Sequence, residues 1–473
     1  MREDRILSEL EELLGNKRIK YEQNTLNEFE VDYLENSKGK ALALVLPNSA
    51  TEISAIVRIC NKYKIKYLAR GGGTSLSGGS LPLDNCIIID LSKMNRILEV
   101  NFDEQTVLAE PGVINIEITN VVDQKDLLFA PDPSSQHMCT IGGNIAHNAG
   151  GAHTIKYGVT TNHVLAVEIV LPNGEITNFG NGLVDGQGYD LLALINGSDG
   201  TLGIITKALL KVIPKPASSQ TVLLVFDRVK DASKTVSDII RKGILPSALE
   251  MMDRIVIRAI EKSEYKVGIP INAEAALLVE VDGRKTDVSI DVENIIQICN
   301  DNNVRTIQRA KDQKHAEKLW AARKAAFEVV GKQNKNYIVQ DGVIPRTMLP
   351  QTLEKIYEIG KKYDLPIANV FHAGDGNLHP LILFNGKIKK EKTNAIDASI
   401  ETIKICADAG GSITGEHGIG IEKVELMPYM FNKEDIELMT KIKMIFDPDL
   451  QCNPCKVLPS GSKCMELSAK ARE

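Results

Sequence analysis

The sequence predicts an α+β protein of two domains, and three observations lead there. Its 473 residues are enough for two or three domains with a substantial core. Short β-prone runs separated by glycine-rich loops fill residues 41–216. After the "PKP" at Pro214 to Pro216, longer helices alternate with single strands and one hairpin, which predicts an antiparallel sheet with helices on one face, of split βαβ type. The expected organisation is an N-terminal helical segment at 1–40, a first domain at 41–216, a second at 217–420 and a C-terminal segment at 421–473.

In chain order, Ile6, Leu7, Leu10, Leu13 and Leu14 recur at helical spacing among charges, which predicts an amphipathic helix rather than a signal peptide. "ALALVLP" is a strand, and Ser49 with Glu52 forms a capping box opening a helix through Ile53, Ile56, Val57 and Cys60. "IKYLAR" is a strand running directly into a glycine loop. "CIIIDL", "TVLAEPG" and "VLAVEIVLPNGEI" continue the pattern, the last ending in an Asn173-Gly174 turn. Past residue 217, "TVLLVF" and "AALLVEV" are strands with a helix between them, "QKHAEKLWAARKAAFEVV" is a helix and "YIVQDGVIP" a further strand.

Sixty-two acidic against fifty-six basic residues leave a net charge of −6 with no block of either sign, so nucleic acid is not an expected partner. No apolar run reaches membrane-spanning length, so no transmembrane segment is expected. Eight scattered cysteines predict reduced thiols in a cytoplasmic protein, one that is at most peripheral to a membrane through a partner. "CNPC" (Cys452 to Cys455) and Cys464 read as ordinary thiols near the surface, since no second pair completes a zinc site.

Three loops carry chemistry. "RGGGTSLSGGS" (Arg70 to Ser80) has five glycines and four hydroxyl side chains directly after a strand. Such a loop can expose consecutive N–H groups to an anion, with Thr74, Ser75 and Ser77 adding donors for phosphate oxygens. It is neither a P-loop nor a Rossmann fingerprint. "PDPSSQHMCTIGGNIAHNAGGAHTIKYG" (Pro131 to Gly158) is long and irregular, as functional loops are, and its small residues would let backbone approach a flat ring. "INGSDGTLGIITKALLKVIP" (Ile195 to Pro214) again sets glycines before a strand.

The fourth feature is "HAGDGNLHP" (His372 to Pro380). An Asp375-Gly376 type I′ turn would pair 374 with 377 and 372 with 379, setting His372 and His379 directly opposite on one sheet face. Two imidazoles so placed could each offer a lone pair to one transition metal, or simply be a cross-strand pair.

The order Arg-Gly-Gly-Gly-Thr-Ser, Pro-Asp-Pro-Ser with Ile-Gly-Gly-Asn, then Gly-Thr-Leu-Gly-Ile-Ile-Thr resembles the FAD domain of the vanillyl-alcohol oxidase type of flavoprotein. "HAGDGNLHP" and "GEHGIGIEK" (Gly415 to Lys423) are similar to the branch of D-lactate dehydrogenases, the glycolate oxidase flavin subunit and D-2-hydroxyglutarate dehydrogenase. The similarity spans residues 40 to 460. It implies an FAD-binding α+β domain of that type plus a cap domain with an antiparallel sheet covered by helices.

It also implies an enzyme that oxidises a small D-2-hydroxy acid, D-lactate first, to the 2-oxo acid by hydride transfer to flavin N5. The residues it assigns to the cofactor are Arg70, Gly71, Gly72, Gly73, Thr74, Ser75, Gly78, Pro131, Asp132, Ser134, Thr140, Gly142, Gly143, Asn144, Gly150, Gly158, Gly203, Ile204, Ile205 and Asn453. The family has Asn-Pro-Gly-Lys where this chain has Asn453-Pro454-Cys455-Lys456, which puts the local backbone in question. No His or Cys lies in the pyrophosphate loop, so the FAD is expected to be non-covalent.

Glu416 of "GEHGIG" joins His372 and His379 as a two-histidine, one-carboxylate set suited to Zn²⁺, Fe²⁺ or Mn²⁺, at which a 2-hydroxy acid would chelate. His417 is the expected general base, and the resemblance implies that Arg323 grips a substrate carboxylate. The 2-hydroxyglutarate branch carries a lysine shortly before the aspartate matching Asp341; Val339 and Gln340 stand here, favouring a monocarboxylic substrate, D-lactate or glycolate. No iron–sulfur domain is appended, so electrons would leave to an electron-transfer flavoprotein, an iron–sulfur subunit or a quinone. The alternatives are a glycolate or D-2-hydroxyglutarate dehydrogenase and, from another class, a metal-dependent hydrolase without flavin.

Overall fold

The computed structural model describes residues 2–34, 37–83, 85–182, 188–333 and 336–459; Cys464 lies outside them. The chain divides into two compact units, Met1–Gly151 with Val159–Lys215 and Glu416–Glu473, and Ala152–Gly158 with Pro216–Gly415.

In the first unit, helix α1 (Arg2–Leu14) buries Ile6, Leu10 and Leu14 against α2 (Ala50–Tyr63). Ser49 caps α2 by accepting the Glu52 N–H at 3.2 Å. Strands β1 (Ala41–Val45), β2 (Tyr67–Arg70) and β3 (Cys86–Asp90) form a parallel core, β3 in the middle, with the short strand Ile19–Lys20 antiparallel at the edge of β1. The central position explains why "CIIID" is apolar on both faces and buried throughout.

A second sheet orders β4 (Ile97–Asn101), β5 (Thr106–Ala109), β8 (Ile204–Lys211), β6 (Val164–Val170) and β7 (Ile176–Gly180), all antiparallel. Helix α3 (Ile141–His147) packs on it through Ile141 and Ile145. The C-terminal segment belongs here because Asn453 donates to the carbonyls of Gly79 and Asp199, and Lys456 to that of Leu81.

The second unit is a nine-stranded sheet whose named strands are all antiparallel. Its order includes β12 (Val304–Arg309), β9 (Ser218–Phe226), β11 (Ala275–Gly283), β10 (Ala248–Asp253) and β13 (Ile367–His372), with β14 (Pro380–Phe384) also on β13. Helices cover both faces rather than one. Residues 222–226 of β9 and 275–279 of β11 are continuous apolar runs, so both faces of the sheet must be buried there. Val222, Leu224 and Phe226 face α4 (Val229–Arg241) and α6 (Lys285–Asp301), whereas Leu223 and Val225 share a cluster with α5 (Arg254–Glu261), α7 (Gln313–Lys324) and α8 (Ala326–Gln333). The expected single helix over 313–330 is therefore two, meeting at Ala325. Residues 152–158, expected in the first domain, group with this unit because Lys156 and Tyr157 both bind the Asp282 carboxylate.

Candidate active site

The histidine hairpin differs from its expected register. His372 pairs with Asn377 and Asn369 with Pro380, so residues 373–376 form a four-residue loop. A type I′ turn needs positive φ at both central residues, and here Gly376 has it (φ 81°) while Asp375 does not. Glycine is required at 376 in any case, since a Cβ there would lie 2.1 Å from the Ile344 carbonyl oxygen. The Asp375 carboxylate instead accepts the Asn377 N–H at 3.1 Å. His379 thus lies diagonally across from His372 on the same face, and the rings still meet edge to face, centroids 5.1 Å apart at 88°.

Both imidazoles are buried, and each engages Nδ1 with the protein. His372 Nδ1 is 2.7 Å from Glu250 Oε1, and His379 Nδ1 is 3.3 Å from the Gln340 carbonyl oxygen. Acceptors at both Nδ1 atoms assign tautomers whose lone pair is on Nε2, the arrangement that metal-ligating histidines show. Phe327 of α8 closes against the His379 ring edge, centroids 6.1 Å apart.

Glu250 sits in mid-strand on β10, directly across from His372. Its Oε2 is 2.5 Å from Nη2 of Arg323 on α7, and both side chains are almost wholly buried. Burial works to raise the Glu250 pKa, but His372 and then Arg323 outweigh it, so the carboxyl stays below its ordinary value and ionised. Arg323 Nε has no hydrogen-bond partner among the described residues, and neither has the buried Asn377 Oδ1. A guanidinium with one edge neutralised and another buried N–H unsatisfied fits an anionic ligand.

On β11, Glu280 extends the row: it accepts from Trp320 Nε1 at 2.7 Å and Thr221 Oγ1 at 2.8 Å, with His153 Nε2 at 3.4 Å. Trp320 and Arg323, one helical turn apart, thus face the same carboxylate-bearing sheet. Beyond the hairpin, Asp341 is fully buried, 4.0 Å from His379 Nδ1, and accepts Thr414 Oγ1 at 2.6 Å and the Gly415 N–H at 2.9 Å. Glu416 and His417 follow in sequence and belong to the first unit, where Ser77 Oγ donates to the His417 carbonyl at 2.8 Å. His417 Nε2 is 4.0 Å from Glu416 Oε1.

In the first unit the glycine loop leaves β2 and meets the second loop at contact distance. A Cβ on Gly71 would lie 2.2 Å from Thr140 Oγ1, and one on Gly72 would lie 2.4 Å from the Met138 carbonyl oxygen. Thr140 caps α3 through the Gly143 N–H at 3.3 Å, and Gly142 packs on Pro111. Asn144 is buried and accepts from Asn115, whose amide also holds the Pro131 carbonyl; a Cβ on Gly151 would strike Asp132. Ile204 and Ile205 are core residues of β8, entered through Gly203 at φ 153°.

Arg70 is not directed at an anion. Its guanidinium donates to the carbonyls of Phe29, Val31 and Ser80, so it organises the loop from behind. Asn453 Nδ2 bonds Gly79 and Asp199, while its buried Oδ1 has no partner among the described residues. An unsatisfied acceptor beside a tight glycine loop fits a cofactor that brings a donor, as FAD does.

Cys455 adopts φ 64°, the left-handed conformation a glycine would take there. The "CNPC" cysteines are buried rather than near the surface, and Cys452 is a free thiol. Sequence reasoning missed Glu250 and Glu280. The available signal for Glu250 was a carboxylate inside the apolar strand "ALEMMD".

The chain belongs to the FAD-linked oxidases, a class of flavin-dependent oxidoreductase. Residues 41–180 match the FAD binding domain and residues 215–457 the C-terminal domain of FAD linked oxidases. Among curated relatives, it is 40% identical to the glycolate oxidase subunit GlcD of Escherichia coli K12, over 98% of this chain and 93% of that one. It is 38% identical to GlcD of Bacillus subtilis (89% and 90%) and 32% identical to a D-lactate dehydrogenase of Anaerostipes hadrus (89% and 90%). The fold matches that of 4-ethylphenol oxidase from Gulosibacter chungangensis, with a TM-score of 0.81, 19% identity and 98% of both chains covered. No helix among the described residues is long and apolar enough to cross a membrane.

Proposed function

We propose that the protein is a dehydrogenase for small monocarboxylic 2-hydroxy acids, D-lactate first, with the achiral glycolate as the alternative. The observation that carries this reading is the pair His372 and His379, buried on one face with both Nδ1 atoms engaged, beside an Arg323 with an unsatisfied N–H. The 40% identity to glycolate oxidase subunits supports glycolate, and the 32% identity to a D-lactate dehydrogenase supports D-lactate.

In this reading, Arg323 takes the substrate carboxylate through the edge that Glu250 leaves unused. His417 accepts the hydroxyl proton, a task suited to an imidazole near neutral pH. His372, His379 and Glu416 are the residues that would hold a divalent ion, whose chemistry there is to lower the pKa of an α-hydroxyl. Bound FAD, cradled by residues 71–80 and 138–144, supplies the hydride acceptor. Trp320 packs on His153 and Phe327 on His379, so these aromatic side chains line the same face. The reduced flavin would pass electrons to a separate protein or a quinone, a reading supported by the relatives' designation as subunits.

The test separates the two cofactors. His379→Ala should lose its metal by elemental analysis, and its activity, while keeping bound FAD. Chelation of the wild type should mimic it, and added divalent metal should restore only the wild type. Metal retained at normal turnover in His379→Ala would refute the ligand assignment.

A further inference from the structure

Asp199, in the "GSDGTLG" turn, has φ 51°, in the left-handed region that aspartate enters more readily than most non-glycine residues. Its carboxylate is buried; Oδ2 is hydrogen-bonded, whereas Oδ1 stands at ion-pair distance from an imidazole without hydrogen-bond geometry. Oδ2 accepts the Gly420 N–H at 2.8 Å, and Oδ1 lies 2.9 Å from Nδ1 of His147 at the end of α3. The backbone is equally committed: its N–H donates to the Ala146 carbonyl at 2.8 Å, and its carbonyl accepts from Asn453 Nδ2 at 2.6 Å. That same Asn453 amide donates to Gly79 at 3.0 Å, so one residue ties together α3, the glycine loop, the C-terminal segment and the turn after His417.

The turn needs such an anchor. Gly418 (φ 82°) and Gly420 (φ 51°) give it wide conformational freedom. Ser77 Oγ holds the carbonyl of His417 at one end, and Asp199 holds the N–H of Gly420 at the other. Gly418 itself packs on the pair, since a Cβ there would lie 2.8 Å from Asp199 Oδ1 and 3.0 Å from His147 Nδ1. Burial works to lower the His147 pKa, but the carboxylates of Asp199 and Asp32 outweigh it and raise it, which favours an imidazolium opposite Asp199.

We propose that Asp199, packed beside His147, is the positioning residue for His417, fixing the turn over residues 417–420 against the glycine loop. This rests on the reading of His417 as the proton acceptor. Asp199→Gly is the chosen variant because glycine takes φ 51° without strain. In the holoenzyme, deuterium uptake by the peptide over residues 416–423 should accelerate, and anaerobic flavin reduction by the hydroxy acid should slow by about 100-fold, the scale of a small misplacement of a catalytic group. Bound FAD and KM should change little. Asp199→Asn, whose oxygen can still accept the Gly420 N–H, should restore both slow uptake and fast reduction. Unchanged uptake in Asp199→Gly, a loss of FAD matching the loss of rate, or no rescue by asparagine would each overturn the proposal. A wild type that no hydroxy acid reduces would refute the functional reading, yet the uptake comparison would still decide whether Asp199 fixes the turn.

Discussion

Replacing Glu250 by Gln tests how the buried face of the second unit is held together. The carboxylate neutralises Arg323 at 2.5 Å and accepts from His372 at 2.7 Å, with all three side chains buried. Glutamine keeps an oxygen for His372, so that contact falls from a charge-assisted to a neutral hydrogen bond, about 1 kcal/mol. On the other side its NH₂ faces a guanidinium, leaving a buried, uncompensated cation at a cost of about 3 kcal/mol or more. The expected total is about 4 kcal/mol, a large share of the stability of a typical domain. Trp320 is the only tryptophan of the chain and donates to Glu280 on the same sheet face, so its fluorescence during urea unfolding reports this unit. The double variant Glu250→Gln with Arg323→Met removes both charges together and should recover most of the loss. If Glu250→Gln unfolds within about 0.5 kcal/mol of the wild type, the range of neutral surface changes, Arg323 and Glu250 are not a buried ion pair and the assignment of the remaining Arg323 edge to substrate loses its basis.

Three further outcomes follow. Steady-state kinetics of His417→Ala should show roughly a 10² to 10⁴ loss in rate with FAD and metal content unchanged; loss of metal would make His417 a ligand. Glu250→Ala should weaken divalent-metal binding to the chelated protein by about 10- to 100-fold in calorimetric titration, because His372 loses the acceptor that orients it. Burial raises the Asp253 pKa to about 6, whereas it titrates at ~3.9 in an unfolded chain. The native state therefore binds a proton that the unfolded state has released between those values. Its contribution is fully present below pH ~4 and is lost as pH rises through ~6, a change of about 3 kcal/mol that urea titrations should find in the wild type and not in Asp253→Asn.

The sequence made the glycine loops, the strands around them and the hydroxy-acid branch legible because those features are local and ordered along the chain. The hairpin was legible as a hairpin but not in register: Asp-Gly satisfies a two-residue turn on paper, and the clash of any Cβ at Gly376 with Ile344, more than thirty residues earlier, is what commits that glycine to a longer loop. Helices on both faces of the second sheet were implied by the doubly apolar "TVLLVF", an observation that outweighs the hairpin pattern. Glu250, His147 and Asp199 were not legible, because each acquires its role from a partner far away in sequence: Glu250 from His372, and Asp199 from His147 and Gly420. The contacts of Arg70 were not legible for a related reason: its guanidinium donates to the carbonyls of residues 29 and 31, far from it in sequence.

The central claim is that a bound hydroxy acid gives its hydride to the flavin of this chain from one face. Anaerobic addition of D-lactate, L-lactate, glycolate and D-2-hydroxyglutarate to the purified yellow protein, followed by visible spectroscopy, tests it directly. The account predicts that D-lactate and glycolate bleach the oxidised flavin while L-lactate and D-2-hydroxyglutarate leave it yellow. Equal bleaching by both lactate enantiomers would contradict the fixed orientation set by Arg323 and the histidine pair, and no bleaching by any of the four would contradict the function itself.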